Sequence, residues 1–279
     1  MLQNIRSVLI GMTEEGTDEP SSALGYGLSL ARQAGAHATI QAASLKVVLG
    51  TAFISNMAAG IVADHNRRLR ALAATFADRA RGDAAALGVS CSVITPQLPY
   101  DELVDTFVTQ ARLHDLCVLD AESAAINTDR GLIEALLFES GRPVLVVPAG
   151  WDDFKHERVL IAWDASARAA RAINDAMPIL KSAAAVEVVS IGSEKELAGV
   201  VPGADIAPHL ARHGVNVTVK DLVIHPDGIA GTLREQAVLY NADLLVMGAF
   251  NHSLVREWVL GGVTQSLLKA STVPLFMSY

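Results

Sequence analysis

Two cysteines in 279 residues are too few for a disulfide scaffold. Cys91 and Cys117 each sit in a short apolar stretch of the strand-forming kind. Both are therefore expected as reduced core thiols, not as a disulfide or a metal pair, which suits a cytoplasmic protein. Long apolar runs are missing too: none approaches the roughly 20 residues that a bilayer demands, so no membrane partner is expected. Met1 to Arg6 shows no charged-then-apolar leader. Basic residues are in deficit, giving a net charge of −8 with both halves negative, and this argues against nucleic acid as a partner. Two phosphate signatures are absent as well. There is no Gly-x4-Gly-Lys-[Ser/Thr], and Gly25-Tyr-Gly27 falls inside a predicted helix, not after a strand.

What is present is apolar and periodic. Hydrophobic residues make up 51% of the chain and charged residues 19%, with no low-complexity segment, so the chain folds around an ample core. The length suits one large domain or two ordinary ones, and internal repetition decides for two. Ser7-Val-Leu-Ile-Gly11 is answered by Arg158-Val-Leu-Ile-Ala162, and Asp115-Leu-Cys-Val-Leu119 by Asp243-Leu-Leu-Val-Met247. Ala135-Leu-Leu-Phe-Glu-Ser-Gly-Arg-Pro143 is answered by Ser266-Leu-Leu-Lys-Ala-Ser-Thr-Val-Pro274. Domains over residues 1–150 and 151–279 follow, joined at Pro148 to Lys155.

Continuous apolar runs of this kind are strands buried on both faces of a parallel sheet. They are predicted at 7–11, 37–42, 89–94, 115–119 and 143–148, then at 158–163, 186–191, 215–223, 243–247 and 273–278. Helical stretches alternate with them. Pro20 to Ala34 turns Leu24, Leu28 and Ala31 inward; Asp101 to Leu113 does so with Leu103, Val104 and Phe107. Ala59 to Leu87 carries Arg67, Arg68, Arg70, Arg79 and Arg81 and reads as a solvated face. Ser166 is the N-cap expected for a helix that buries Ala169, Ile173, Ala176 and Leu180. Another helix runs from Asp227 through Ile229, Leu233 and Ala237. The fold class is α/β, two tandem doubly wound five-stranded parallel sheets of Rossmann-like form.

The stretch richest in chemistry is Asp243 to Tyr279. A strand ending on Gly248, then a loop that re-enters a helix through Gly261-Gly262, aims backbone N–H groups into one concavity, which is how such sheets hold a phosphate or another anion. The competing reading is a strand-to-helix connection that binds nothing. Asp205, His209 and His213 share a helical spacing that zinc could use, but three residues over two turns lie too far apart without a further element. The apolar insertion Ser44 to Ala59 can be a lid, a partner surface or packing for its own domain.

Both halves resemble universal stress protein domains, and the chain resembles a tandem member of that family over nearly its whole length. Nucleotide-binding members of the family show Gly-x2-Gly-x9-Gly-[Ser/Thr] after the fourth strand. Here that pattern falls on Gly248, Asn251, Gly261 and Gly262, followed by Val263 and Thr264. Asn251 tolerates a left-handed turn but narrows the approach to a phosphate. Gly262 keeps the N–H and loses the hydroxyl, for which Ser253 and Thr264 are substitutes, while His252 and Arg256 add positive charge. The resemblance sets Asp164, in Ala162-Trp163-Asp164, against the adenosine, gives Ile191 the backbone contacts to the base, and puts Met247 beside the phosphate turn. It implies an adenine-nucleotide-alpha-hydrolase-like fold binding ATP or a related adenine nucleotide, with or without magnesium.

By the same resemblance the first half should not bind nucleotide. Thr13 replaces the aspartate, Asp120 replaces the strand-ending glycine, and Ala121 to Asp129 is short and acidic. The last strands are expected to pair antiparallel across a pseudo-twofold inside the chain, with homodimerisation open. Phosphoryl transfer needs a metal-holding carboxylate and a positioned water or base. The loop offers only His252 and Glu257, so efficient turnover is not expected. The favoured function is a non-catalytic stress-response binding and signalling module. The alternatives are a slow nucleotide hydrolase and a nucleotide-independent member taking another small ligand.

Overall fold

A computed structural model of the chain describes residues 2–14, 21–48, 56–121, 128–193, 203–249 and 262–279, with backbone alone at 13, 14, 56–58 and 128–130. The first half runs β1 (Ser7–Glu14), α1 (Ser22–Ala34), β2 (His37–Leu45), α2 (Asn56–Ala86), β3 (Cys91–Ile94), β4 (Gln97–Leu98), α3 (Tyr100–Ala111), β5 (Leu116–Asp120), α4 (Thr128–Glu139) and β6 (Val144–Val147). The second runs β7 (Arg158–Ala162), α5 (Ala167–Leu180), β8 (Ala185–Gly192), α6 (Ala207–Arg212), β9 (Val217–Val223), α7 (Gly228–Tyr240), β10 (Leu244–Gly248), α8 (Gly262–Ala270) and β11 (Leu275–Ser278).

The eleven strands among the described residues join one sheet, ordered β3-β2-β1-β5-β6-β11-β10-β7-β8-β9, with the two-residue β4 beside β2. Every neighbour pair is parallel except β6 with β11, where Leu275, Phe276 and Met277 face Val146, Leu145 and Val144. Each half therefore has the same strand order, and its last apolar strand is paired instead of exposed. β5, β6, β10 and β11 are buried almost end to end, as parallel strands covered on both faces must be. β4 was not foreseen; it extends the ladder of β2 past Ser44, so the expected insertion starts as strand, and residues 49–55 lie outside the described part.

The repeat is visible in its hydrogen bonds. Asp115 accepts from the Arg6 N–H at 2.7 Å and the Ser7 N–H at 2.9 Å, and its counterpart Asp243 accepts from the Arg158 N–H at 2.9 Å. The residue before β5 thus ties down the start of β1, and the residue before β10 that of β7. Ser140 accepts from the Arg142 N–H and Ser271 from the Val273 N–H, the same turn at the repeated Ser. Leu24, Leu28 and Ala31 are buried, as are Leu103 and Phe107, Leu233 and Ala237, while Val104 is half-buried and Ile229 exposed. Cys91 and Cys117 are free thiols in strands, and burial pushes the Cys117 thiol up to about 12.

The linker is docked, not a bare connection. The Gly150 N–H donates to Ser22 Oγ at 3.0 Å, Gln33 Nε2 donates to the Phe154 carbonyl at 2.8 Å, and Trp151 Nε1 reaches the Thr272 carbonyl at 3.2 Å. Phe154 is buried edge-on to Tyr26, and His156 stacks on Phe154 with centroids 4.9 Å apart. Burial lowers the His156 pKa below its ordinary value, against the upward pull of Glu157 and Asp243. The unfolded chain then holds that proton more readily than the folded one, so stability is full above pH ~6.5 and falls as the pH drops through and below that value. Melting curves between pH 7.5 and 5.5 are expected to show this decline, and His156→Gln to flatten it; an unchanged slope would remove His156 as its cause.

Candidate functional site

The strand order turns around between β7 and β10: from β7 the chain moves outward to β8, then returns to β10 on the other side. In open α/β sheets the carboxyl ends at such a junction form the ligand crevice. Ala162 closes β7 half-buried. Trp163, 9% exposed, has its N–H on the Val189 carbonyl, and its indole donates to Asp205 Oδ1 at 3.2 Å. Asp164 is exposed; its Oδ1 accepts from the Ser166 N–H at 3.0 Å, in a turn made by Ala165 at φ 59°. The other carboxylate oxygen makes no hydrogen bond among the described residues. Ser166 Oγ caps α5 by accepting from the Ala169 N–H at 3.1 Å.

Gly248, the last residue of β10, lies against that same first turn of α5. A Cβ built on it would stand 2.7 Å from the Ala169 nitrogen and 2.8 Å from the Arg168 carbonyl carbon. Asp164 and Gly248 thus flank one helix start. Met247 is buried in the core and offers only its backbone to this edge. Ile191 is half-buried in β8, two residues beyond Val189, which faces Ala162. Gly262 opens α8 with none of the described residues within 4 Å of its Cβ position. Val263 is half-buried, and Thr264 is fully buried with a partner of its own. Asn251, His252, Ser253 and Gly261 lie outside the described residues.

The first half fills the equivalent corner itself. Asp120 stands where Gly248 does, and its carboxylate accepts from Ser21 Oγ at 2.5 Å and from the Ala23 N–H at 2.8 Å. Ser21 in turn accepts from the Leu24 N–H, as Ser166 does from Ala169. Asp120 was read in sequence as the replacement of the strand-ending glycine; the structure adds that its carboxylate takes a helix N–H at the start of α1. The Thr13 side chain and the loop at 122–127 lie outside the described part.

Of the zinc-spaced residues, Asp205 takes the Trp163 indole and the Ile206 N–H, and the His209 and His213 rings meet edge-on with centroids 4.8 Å apart. Among the described residues no three His, Cys, Asp or Glu side chains are placed to hold a metal. The Trp163–Asp205 bond spans 42 residues, and no local pattern in the sequence announces it. No described helix is long and apolar enough to cross a membrane.

No curated protein sequence matches the chain. Among solved structures, a universal stress protein from Archaeoglobus fulgidus DSM 4304 superposes at TM-score 0.69 with 15% identity, covering 97% of this chain and 95% of its own. A putative universal stress protein from Pseudomonas aeruginosa UCBPP-PA14 gives TM-score 0.59 and 16% identity over 99% and 94%. At those identities the likeness is one of fold. A shorter universal stress protein solved in complex with cAMP covers 44% of this chain and 96% of its own, at TM-score 0.37 and 19% identity; that ligand is its own. The model of the universal stress protein family matches residues 155–278. The second half thus matches the universal stress protein family in sequence, and the first half repeats its strand order.

Proposed function

We propose that the unit formed by residues 151–279 binds an adenine nucleotide of the ATP type, and that the chain is a non-catalytic stress-response module whose association with other proteins follows nucleotide occupancy. The observation that carries this reading is the contrast between the two corners. The unit of residues 1–150 seats its own Asp120 carboxylate on a helix start, whereas the second has Gly248 there, packed on the first turn of α5 and without an acid. The second unit therefore brings no acid of its own to this strand end, and among the described residues nothing there repels a phosphate at the neighbouring start of α8. The first N–H groups of α8 and its dipole favour phosphate, and glycine at 262 sets no side chain between a phosphate and the backbone. The spare oxygen of Asp164 can accept a hydroxyl or amino proton from the nucleoside end. That places the carboxylate at the opposite end from the phosphates, where it cannot hold a catalytic metal or water for them.

Gly262→Asp tests the reading without harming the fold. The new side chain meets none of the described residues within 4 Å, and an acid at a helix N-terminus is favourable by roughly 0.3–1 kcal/mol. Calorimetry with ATP and AMP, with and without magnesium, is expected to give saturable binding to wild type. The variant should bind at least about tenfold more weakly, a loss of about 1.4 kcal/mol, with its Tm kept or raised. Wild type that never saturates, or a variant that binds equally well, would overturn the assignment, and phosphate release at a measurable rate would make the chain a hydrolase.

A further inference from the structure

A cleft of about 810 Å³ lies between the two halves, walled on one side by α5 from Arg171 to Ser182 and on the other by the segments entering β1, β5 and β6. None of the nucleotide-site residues lines it. Its size suits a small metabolite, and its charge is unusual for a chain of net charge −8. Five of its fully ionised side chains decide that charge: Arg142, Arg171 and Lys181 against Asp115 and Asp175. Both acids are already committed. Asp115 is held by the Arg6 and Ser7 N–H groups, and Asp175 pairs with Arg171 at 2.9 Å.

Asp115 keeps its charge, so these five side chains sum to +1, with Arg142 and Lys181 outside any ion pair among the described residues. The Arg142 guanidinium donates to the Arg112 carbonyl at 3.2 Å and forms no ion pair among the described residues. Lys181 follows the last turn of α5, where an ammonium usually serves the helix carbonyls, yet its ammonium makes no such bond among the described residues. His213 adds a third nitrogen base to the wall. Concave walls focus the field of unneutralised charges and raise the local concentration of the opposite sign.

We propose that this cleft is a second binding site, for a small multivalent oxyanion held between Arg142 of the first half and Lys181 of the second. An occupant bridges the halves by contacts additional to the β6–β11 ladder. The test uses the full chain carrying Gly262→Asp, so that binding at the nucleotide loop does not contribute and the two readings fail separately. Pyrophosphate and citrate, titrated in separate calorimetric arms at low salt, distinguish phosphoryl from carboxylate recognition. Saturation below about 1 mM in either arm is expected, weakening at least tenfold in Arg142→Ala/Lys181→Ala, with an unchanged Tm in the absence of ligand. Failure of both anions to saturate, or equal affinity in the double variant, would overturn the proposal.

Discussion

Gly248→Ala is expected to destabilise the second half by about 2–3 kcal/mol, the upper range for forcing extra atoms into a packed site. The reason is what the new methyl meets. Its nearest neighbours are the Ala169 nitrogen at 2.7 Å, the Arg168 carbonyl carbon at 2.8 Å and Arg168 Cβ at 2.9 Å, all parts of the first turn of α5 that no rotamer change can move. The helix start must shift, and it is not free to do so. Ser166 caps it, Ala169 and Ala172 are buried in the core, and Arg168 lies over the Tyr279 ring at 4.5 Å while donating to its hydroxyl at 3.2 Å. Urea unfolding followed by Trp fluorescence, with Trp163 three residues before the cap, measures the loss directly. A cost within about 0.5 kcal/mol of zero, the range of an ordinary surface substitution, would mean that α5 yields and that Gly248 is not fixed by packing. The consequence for function is practical: an acidic residue at 248 would test folding before it tests ligand binding, which is why position 262 carries the binding experiment.

Much of this architecture could be read from the sequence because it rests on local rules. Continuous apolar runs ended by glycine or an acid gave strands buried on both faces, and the repeated Asp115 and Asp243 fell at equivalent turns where each secures the first strand. Ser166 was legible as a cap because the hydroxyl serves an N–H three residues away. Non-local matters were not legible. That Asp120 reaches back 97 residues to the Ala23 N–H, that the Trp163 indole finds Asp205, and that the linker packs on Tyr26 all depend on which elements the sheet brings side by side. Gly248 shows the boundary between the two kinds of information. Its place at a strand end was visible in the family-like pattern, but the contact that excludes every side chain comes from α5, some 80 residues earlier in the chain.

Asp120→Ala is expected to cost about 2–3 kcal/mol, and Asp120→Asn roughly half as much, because the carboxylate does two jobs that these variants separate. It accepts from the Ala23 N–H and from Ser21 Oγ at the start of α1, satisfying a helix donor that is otherwise unmatched. Its negative charge also faces the positive end of the helix dipole. Asparagine keeps an acceptor and loses the charge; alanine loses both and strands the Ala23 N–H in a part-buried site. Chemical denaturation gives the totals, and amide exchange at Ala23 and Leu24 localises them, since protection should fall at α1 while that at α5 is untouched. If alanine proves neutral, the carboxylate does not hold that corner and the contrast with Gly248 loses its physical basis. If the predicted order appears, the two halves are one design used twice: a helix start held by an acid at the strand end in the first, and packed on a glycine that brings no acid in the second.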